Sequence, residues 1–315
     1  MKNIILVLFI FFSCLIFSQE KFSKEISLLT DNDLYVSSAK DRYYTSGIYL
    51  KYSYLTKHNN NLDKKIFEWQ IGHKMYTPYK AVVLSLNEHD RPFAGYLYGS
   101  FGINRIYKTS KNLKTTLQIG TIGSNAFGKE LQDFIHNIYS FSKAIGWEYQ
   151  IKNAFGLNFN TEFNSSLLKE NNNNFDITWM NAAQIGTVFT NISSGFYTRI
   201  GLKPLQKLMN SIAFNTHLNN NKTQYKKETE SFIYLKTLVA YNLYDATIQG
   251  SFLNKNSLVT KELIPLVFNL ELGIKFTANK FNFGYSYLYN TNKSKDLRYN
   301  KGNSYGSIAI NYLLK

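Results

Sequence analysis

Apolar and polar residues alternate one for one along much of this chain, most clearly in its second half. Between 267 and 277, Phe268, Leu270, Leu272, Ile274 and Phe276 share one side, with Asn269, Glu271, Gly273 and Lys275 opposite. Between 280 and 290, Phe281, Phe283, Tyr285, Tyr287 and Tyr289 alternate with Asn282, Gly284 and Ser286, and 155–165 reads the same way through Phe155, Leu157, Phe159 and Phe163. A period of two is that of a β-strand with unlike faces. Runs of roughly ten such residues, with Tyr near their ends, fit strands that cross a membrane with one face to lipid and one to a polar lumen. The strands of a soluble sandwich are usually shorter.

The pattern predicts an all-β chain with strand candidates at 22–31, 44–56, 65–75, 94–107, 112–122, 145–152, 155–166, 176–188, 194–203, 231–241, 244–253, 266–277, 280–290 and 303–313, up to fourteen by this count. Tight connections fall at 153–154, 242–243 and 278–279. Long polar ones fall at 32–43, 76–93, 123–144, 204–230 and 291–302. Bacterial barrels have short periplasmic turns and long external loops, so all five long loops are expected outside. One of them breaks the pattern: in 123–144, Leu131, Phe134, Ile135 and Ile138 recur at helical spacing, which predicts a short helix with Ser124 or Asn125 as its cap. Gln132 and His136, four apart, then share a different face. The stripe would pack on the rim or dip into the outer leaflet.

The first residues set the compartment. Lys2 precedes an apolar run from Ile4 to Phe17 and a Ser18-Gln19-Glu20 exit, so 1–19 reads as a signal peptide and 20–315 as the mature barrel. Cys14, the only cysteine, falls inside that segment, which excludes disulfides, thiolate nucleophiles and cysteine-bound zinc from the rest. The net charge of +15 suits nucleic acid or an anionic membrane surface, and export selects the membrane.

Four polar segments stand at the ends of these strands on the expected external side. Asp31-Asn32-Asp33 closes the first strand, and Asp41-Arg42-Tyr43-Tyr44-Thr45-Ser46-Gly47 leads into the second. Such clustered oxygens suit a hard cation such as Ca²⁺, although Asp/Asn runs mostly make turns. Asp90-Arg91-Pro92-Phe93-Ala94-Gly95 opens the fourth strand, and Arg91 is of a type that clamps phosphates or carboxylates. The helix carries Gln132 and His136, and Gly146-Trp147 follows it. His58, His73, His89 and His217 lie at loops or strand ends without such a setting.

Taken together, Asn32-Asp33, Tyr44-Thr45-Ser46-Gly47, Arg91-Pro92-Phe93-Ala94-Gly95 and Gly128-x-x-x-Gln132-x-x-x-His136 with Gly146-Trp147 resemble the outer-membrane lipid A 3′-O-deacylases. The resemblance covers the chain to about residue 150. It implies a monomeric transmembrane antiparallel barrel of twelve strands, acting on lipid A and lipopolysaccharide among outer-membrane lipids, with no nucleic-acid partner. It further implies Ca²⁺-dependent hydrolysis of the 3′-acyloxyacyl ester. His136 would be the general base, Gln132 and Thr45 would shape the site, Asn32 and Asp33 would hold the metal, and Arg91 would bind the substrate headgroup. Two other readings remain: a porin or structural barrel without chemistry, and an esterase with Ser46 as nucleophile.

Overall fold

The computed structural model describes residues 22–36, 42–59, 61–168, 174–219 and 229–315. The expected signal peptide and Asp41 lie outside them. Twelve antiparallel strands close into one barrel: β1 (Lys24–Asn32), β2 (Tyr43–Leu55), β3 (Leu62–Thr77), β4 (Ala94–Tyr107), β5 (Lys111–Ile122), β6 (Ala154–Ser166), β7 (Phe175–Gly186), β8 (Phe189–Gly201), β9 (Ser231–Asp245), β10 (Leu266–Ala278), β11 (Phe281–Asn290) and β12 (Asn303–Leu314). Each strand pairs with its sequence neighbours, and β1 closes on β12 from Lys24↔Leu314 to Asn32↔Gly306. Closure leaves no unpaired edge, the condition for β-structure inside a bilayer. The period of two sends Ile26, Leu28, Leu50, Trp69, Ile71, Leu117 and Ile119 outward as exposed apolar residues. Ser27, Lys51, Gln70, Lys74, Lys114, Lys236, Glu271 and Lys275 line the lumen.

Two of the fourteen expected strands do not exist. In 145–152, Ile145, Trp147, Tyr149 and Ile151 alternate like a strand, but the segment runs outside the sheet. Ile145 makes one parallel bridge to Val82, and Trp147–Tyr149 is a single helical turn. In 244–253, Tyr244 and Asp245 finish β9, and Asp245 Oδ1 then accepts the Thr247 amide to start the four-residue helix α2 (Ala246–Gln249), labelled second because α1 is the longer helix Gly128–Tyr139. The first surplus strand inverts the expected direction of every strand up to the second. The long loop expected outside at 204–230 therefore belongs to the end where β1 begins and β12 ends, the periplasmic end of the barrel.

The described residues of that loop, between β8 and β9, fold inward. Lys64 on β3 donates from Nζ to Met209 O at 2.8 Å, Thr216 O at 2.9 Å and Asn210 Oδ1 at 2.5 Å. Arg199, fully buried on β8, donates to Glu230 at 2.6 Å and to Asp176, Ser211 and Gln206 O. Leu208, Ile212 and Phe214 pack on Tyr197, Phe232 and Tyr234. Met209 and Leu218 pack on Phe22, Ile66, Ile106 and Leu313. A buried guanidinium between two carboxylates is stable only while its partners stay in place. The loop thus acts as a plug held by charge and apolar contact together. We expect the purified protein to show no stepwise ion conductance in planar bilayers. We expect Arg199→Met to lower stability in urea unfolding by about 3–5 kcal/mol, as loss of one partner of a buried ion pair does. An unshifted midpoint would mean that the network does not hold the plug.

Candidate functional site

The site forms on the outer wall because of one register. Asn32 on β1 pairs with Ser46 on β2, Ser46 with Met75 on β3, and Met75 with Gly95 on β4. All four belong to the outward-facing set, so they form a single row across the external rim. At this point β2 carries a bulge: Tyr44 pairs with Tyr76 and Ser46 with Met75, which leaves Thr45 as the extra residue. Tyr44 turns inward, its hydroxyl donating to Asp31 at 2.7 Å. Thr45 instead meets the Thr77 hydroxyl at 2.7 Å, two residues beyond outward-facing Met75. Bulges re-aim side chains in this way, and here the result is two hydroxyl residues in succession on the outer face. The same alternation splits the Asp31-Asn32-Asp33 run: Asp31 faces the lumen, and Asn32 lies outside. Asn32 Oδ1 accepts the Leu34 amide at 2.8 Å and starts the turn Asp33–Tyr35, while Asp33 Oδ2 accepts the Arg42 amide at 3.0 Å.

Over the β4 end of this row lies α1. A Cβ on Gly95 would meet Ala126 Cβ at 3.1 Å and Gly128 N at 3.2 Å; one on Gly128 would lie 2.6 Å from the Trp147 ring. Glycine at both positions lets helix, wall and indole come into direct contact. His73, outward on β3, meets Ala126 O at 2.8 Å. Phe127 and Ser140 flank the helix in left-handed conformations, at φ 57° each. Strain of this kind persists only where the surroundings fix it.

The helix buries Gly128, Gln132 and His136, one residue per turn on one line, with Gln132 2% and His136 4% exposed. The expected apolar stripe divides: Phe134 and Ile138 point away at 62% and 61% exposed, whereas Leu131 packs against the Trp147 cluster and Ile135 is half-buried. At 1.5 Å per residue, Gly128 to His136 spans about 12 Å, enough to cross two to three strands spaced at ~4.8 Å. Trp147, almost fully buried, packs tilted against Phe93 with ring centroids 4.8 Å apart and donates from Nε1 to Gln132 Oε1 at 2.7 Å. That bond ties the helix to the indole through the Gln132 amide oxygen. His136 Nδ1 lies 2.6 Å from Ser142 O. A carbonyl only accepts, so Nδ1 carries the proton, and in the neutral ring the lone pair resides on Nε2.

The structure places Arg91 elsewhere. It is buried on the lumenal side, over the Tyr76 ring at 4.9 Å, and its Nη2 donates to Thr247 O at 3.1 Å and Thr247 Oγ1 at 3.3 Å. Burial lowers its basicity and that of nearby Lys293, while Asp245 opposes the shift in both. Beside it, the Asp90 carboxylate accepts from the Tyr43 hydroxyl at 2.9 Å, the Tyr79 amide at 3.0 Å and the Arg298 amide at 3.1 Å. Asp90 and Arg91 therefore fasten the β2 entry, the β3–β4 loop, α2 and the β11–β12 loop to one another. Sequence reasoning passed over the parts played by Asp90, His73 and Trp147. The available signal was His73 itself, a polar residue in register with lipid-facing Trp69 and Ile71, which needs a cover.

Asn32 and Asp33 fit a calcium ion in kind, since both offer oxygen and lie close to the Thr45–Ser46 pair. They fall short in number: among the described residues no group of three or more His, Cys, Asp or Glu comes together to hold a metal. The other ligands of a six- to eight-coordinate ion would be backbone carbonyls, water and substrate.

A closed twelve-stranded barrel with a histidine-bearing helix laid against its outer wall defines a lipid-facing outer-membrane protein. The family profile described as "Outer membrane protein LpxR" matches residues 4–314. The chain belongs to this family, the lipid A 3′-O-deacylases that its motifs resemble, and is an integral outer-membrane barrel. Among solved structures, LpxR from Salmonella typhimurium superposes with a TM-score of 0.72 at 19% identity, over 91% of this chain and 99% of that one. The β domain of the Bordetella autotransporter BrkA gives 0.45 at 8% identity, over 94% and 99%. No curated protein matches in sequence.

Trp147→Phe keeps the ring but strands Gln132 Oε1, a buried acceptor whose loss of partner costs about 1–3 kcal/mol. Hydrogen exchange should rise across 128–139 and stay unchanged in β8–β11. Unchanged exchange in the helix would mean that Trp147 does not anchor it.

Proposed function

We propose that this protein hydrolyses the ester of the 3′-linked acyloxyacyl group of lipid A in the outer leaflet. The observation that carries the reading is the buried line Gly128–Gln132–His136, held on the lipid-facing side of the wall at the external rim. A catalytic side chain there meets a lipid, not a solute passing through the lumen, and the plugged periplasmic end argues against a porin.

In this reading water attacks the ester carbonyl while His136 Nε2 takes its proton. The new C–O bond forms, the sugar C–O–acyl bond breaks on the acyl side, and the proton passes to the departing sugar hydroxyl. The acyloxyacyl group leaves as a carboxylic acid. A neutral imidazole can take the water's proton and return it to the leaving oxygen. The contact from Nδ1 to Ser142 O fixes the ring so that Nε2 does the work. Gln132 orients the carbonyl or the water, and the Thr45 hydroxyl, held by Thr77, completes the polar wall. Asn32 and Asp33 would hold Ca²⁺, which when bound supplies positive charge for the developing oxyanion. Arg91, engaged by Thr247, acts by holding the rim loops rather than by touching substrate.

Lipid A from cells expressing the wild type should lack the 3′-acyloxyacyl mass, and His136→Ala should leave it intact, a loss of at least ~10²-fold in rate as for removal of a general base. Equal acylation in both strains, with folded protein in the membrane, contradicts the reading. A calcium chelator should abolish activity and added Ca²⁺ restore it; activity indifferent to chelation removes the metal from the account. Ser46→Ala should remain active, whereas its inactivation together with serine-directed inhibitor labelling would favour a Ser46 nucleophile.

A further inference from the structure

Below the rim, the outer wall of β1–β5 is ordered in rows fixed by the same register. The rim row Asn32–Ser46–Met75–Gly95 is followed by Thr30–Ile48–His73–Leu97–Thr121. Beneath it come Leu28–Leu50–Ile71–Gly99–Ile119 and then Ile26–Tyr52–Trp69–Phe101–Leu117. Polarity falls from row to row. The last two rows line an apolar groove of 620 Å³ on the outside of the barrel. Its opening is at Gly99, where an added Cβ would meet nothing within 4 Å, while its row neighbours Ile71 and Ile119 stand out from the wall.

We propose that this groove is a binding site for one linear acyl chain of the lipid whose ester lies at the rim row, and that Gly99 makes it. The proposal rests on the function inferred above. From the rim row to the Gly99 row is four residues along each strand, about 13 Å at ~3.3 Å per residue. Half of the ~30 Å hydrocarbon core is about 15 Å. A chain anchored by its ester at the rim therefore runs down the wall into the groove within its own leaflet. The gradient from Asn32, Thr45 and Ser46, through Thr30 and His73, to wholly apolar rows matches the polarity of such a lipid from headgroup to tail. Any outer wall is wetted by lipid; the notch at Gly99 on the same strands as the site is what singles out one chain here. Gly99→Leu fills the notch from a position open to lipid, so the barrel is expected to fold.

The test is photolabelling by lipid A carrying a diazirine on an acyl chain, using the full-length protein in bilayers. It is run on the wild type, the otherwise intact His136→Ala variant, Gly99→Leu and a control, Val239→Phe, on the exposed face of β9. Labelled peptides should concentrate on 97–103 and 115–119 in the wild type and in His136→Ala. Gly99→Leu should reduce this labelling roughly tenfold, in line with the effect of small volume changes in apolar pockets, and Val239→Phe should leave it unchanged. Folding of each variant is checked by its heat-modifiable mobility. Labelling spread evenly around the barrel, or indifferent to Gly99→Leu, overturns the proposal. Labelling at the groove in a protein that leaves lipid A intact supports the groove and contradicts the hydrolase reading, so the two failures are distinguishable.

Discussion

The arrangement depends on the contact of Gly128 with Gly95, because it decides on which side of the wall the chemistry lies. In a closed barrel every second side chain faces lipid, and a polar group left there uncovered is costly. Asn32, Thr45, Ser46 and His73 all face that way near the rim. They are tolerable because a helix lies against the wall beside them. Two opposed glycines allow the backbones to meet, Trp147 fills the adjoining space, and Gln132 satisfies the indole. With the helix docked by this face, His136 is buried toward the wall and Phe134 and Ile138 are left to the surroundings. A bulkier residue at either glycine would lift the helix from β4.

The barrel interior has a different task. Part of its charge is paired across the lumen or with the described residues of the β8–β9 loop, as in Lys114–Glu68 at 2.7 Å and Arg199–Glu230 at 2.6 Å. Asp90 and Arg91 spend their bonds on neighbouring loops. The described part of the β8–β9 loop fills one end of the lumen, and a polar cavity of about 560 Å³ lined by Lys51, Lys74, Glu271 and Lys275 remains beside it. That division explains why the polar residues of the rim motifs fall into two sets, Asn32, Thr45 and His136 outside the wall and Asp31, Asp90 and Arg91 within it.

Strand periodicity made the barrel legible, because a half-lipid, half-polar strand has a pattern that few other elements share. The helix was legible too, from Leu131, Phe134, Ile135 and Ile138, although the stripe serves the surroundings more than the wall. The strand number was not: Ile145-x-Trp147-x-Tyr149-x-Ile151 alternates as well as any strand, and only the burial of Trp147 under α1 shows why it is not one. Local pattern cannot report that a residue is covered by a distant helix. That surplus strand in turn misplaced the 204–230 loop, whose described residues fold inward onto neighbouring Arg199 and onto Lys64, far away in sequence. Naming Asn32, Thr45 and His136 together needed the motif resemblance; why Thr45 shares the outer face with Asn32 needed the bulge.

The central claim is that α1 lies on the membrane side of the wall. A spin label on a single cysteine at Phe134, in a Cys14→Ala background, tests it directly in lipid bilayers. The account predicts that collisions with apolar oxygen exceed those with a water-soluble nickel chelate, placing Phe134 in the leaflet. Preferential collision with the nickel chelate would put the helix in water and contradict the account.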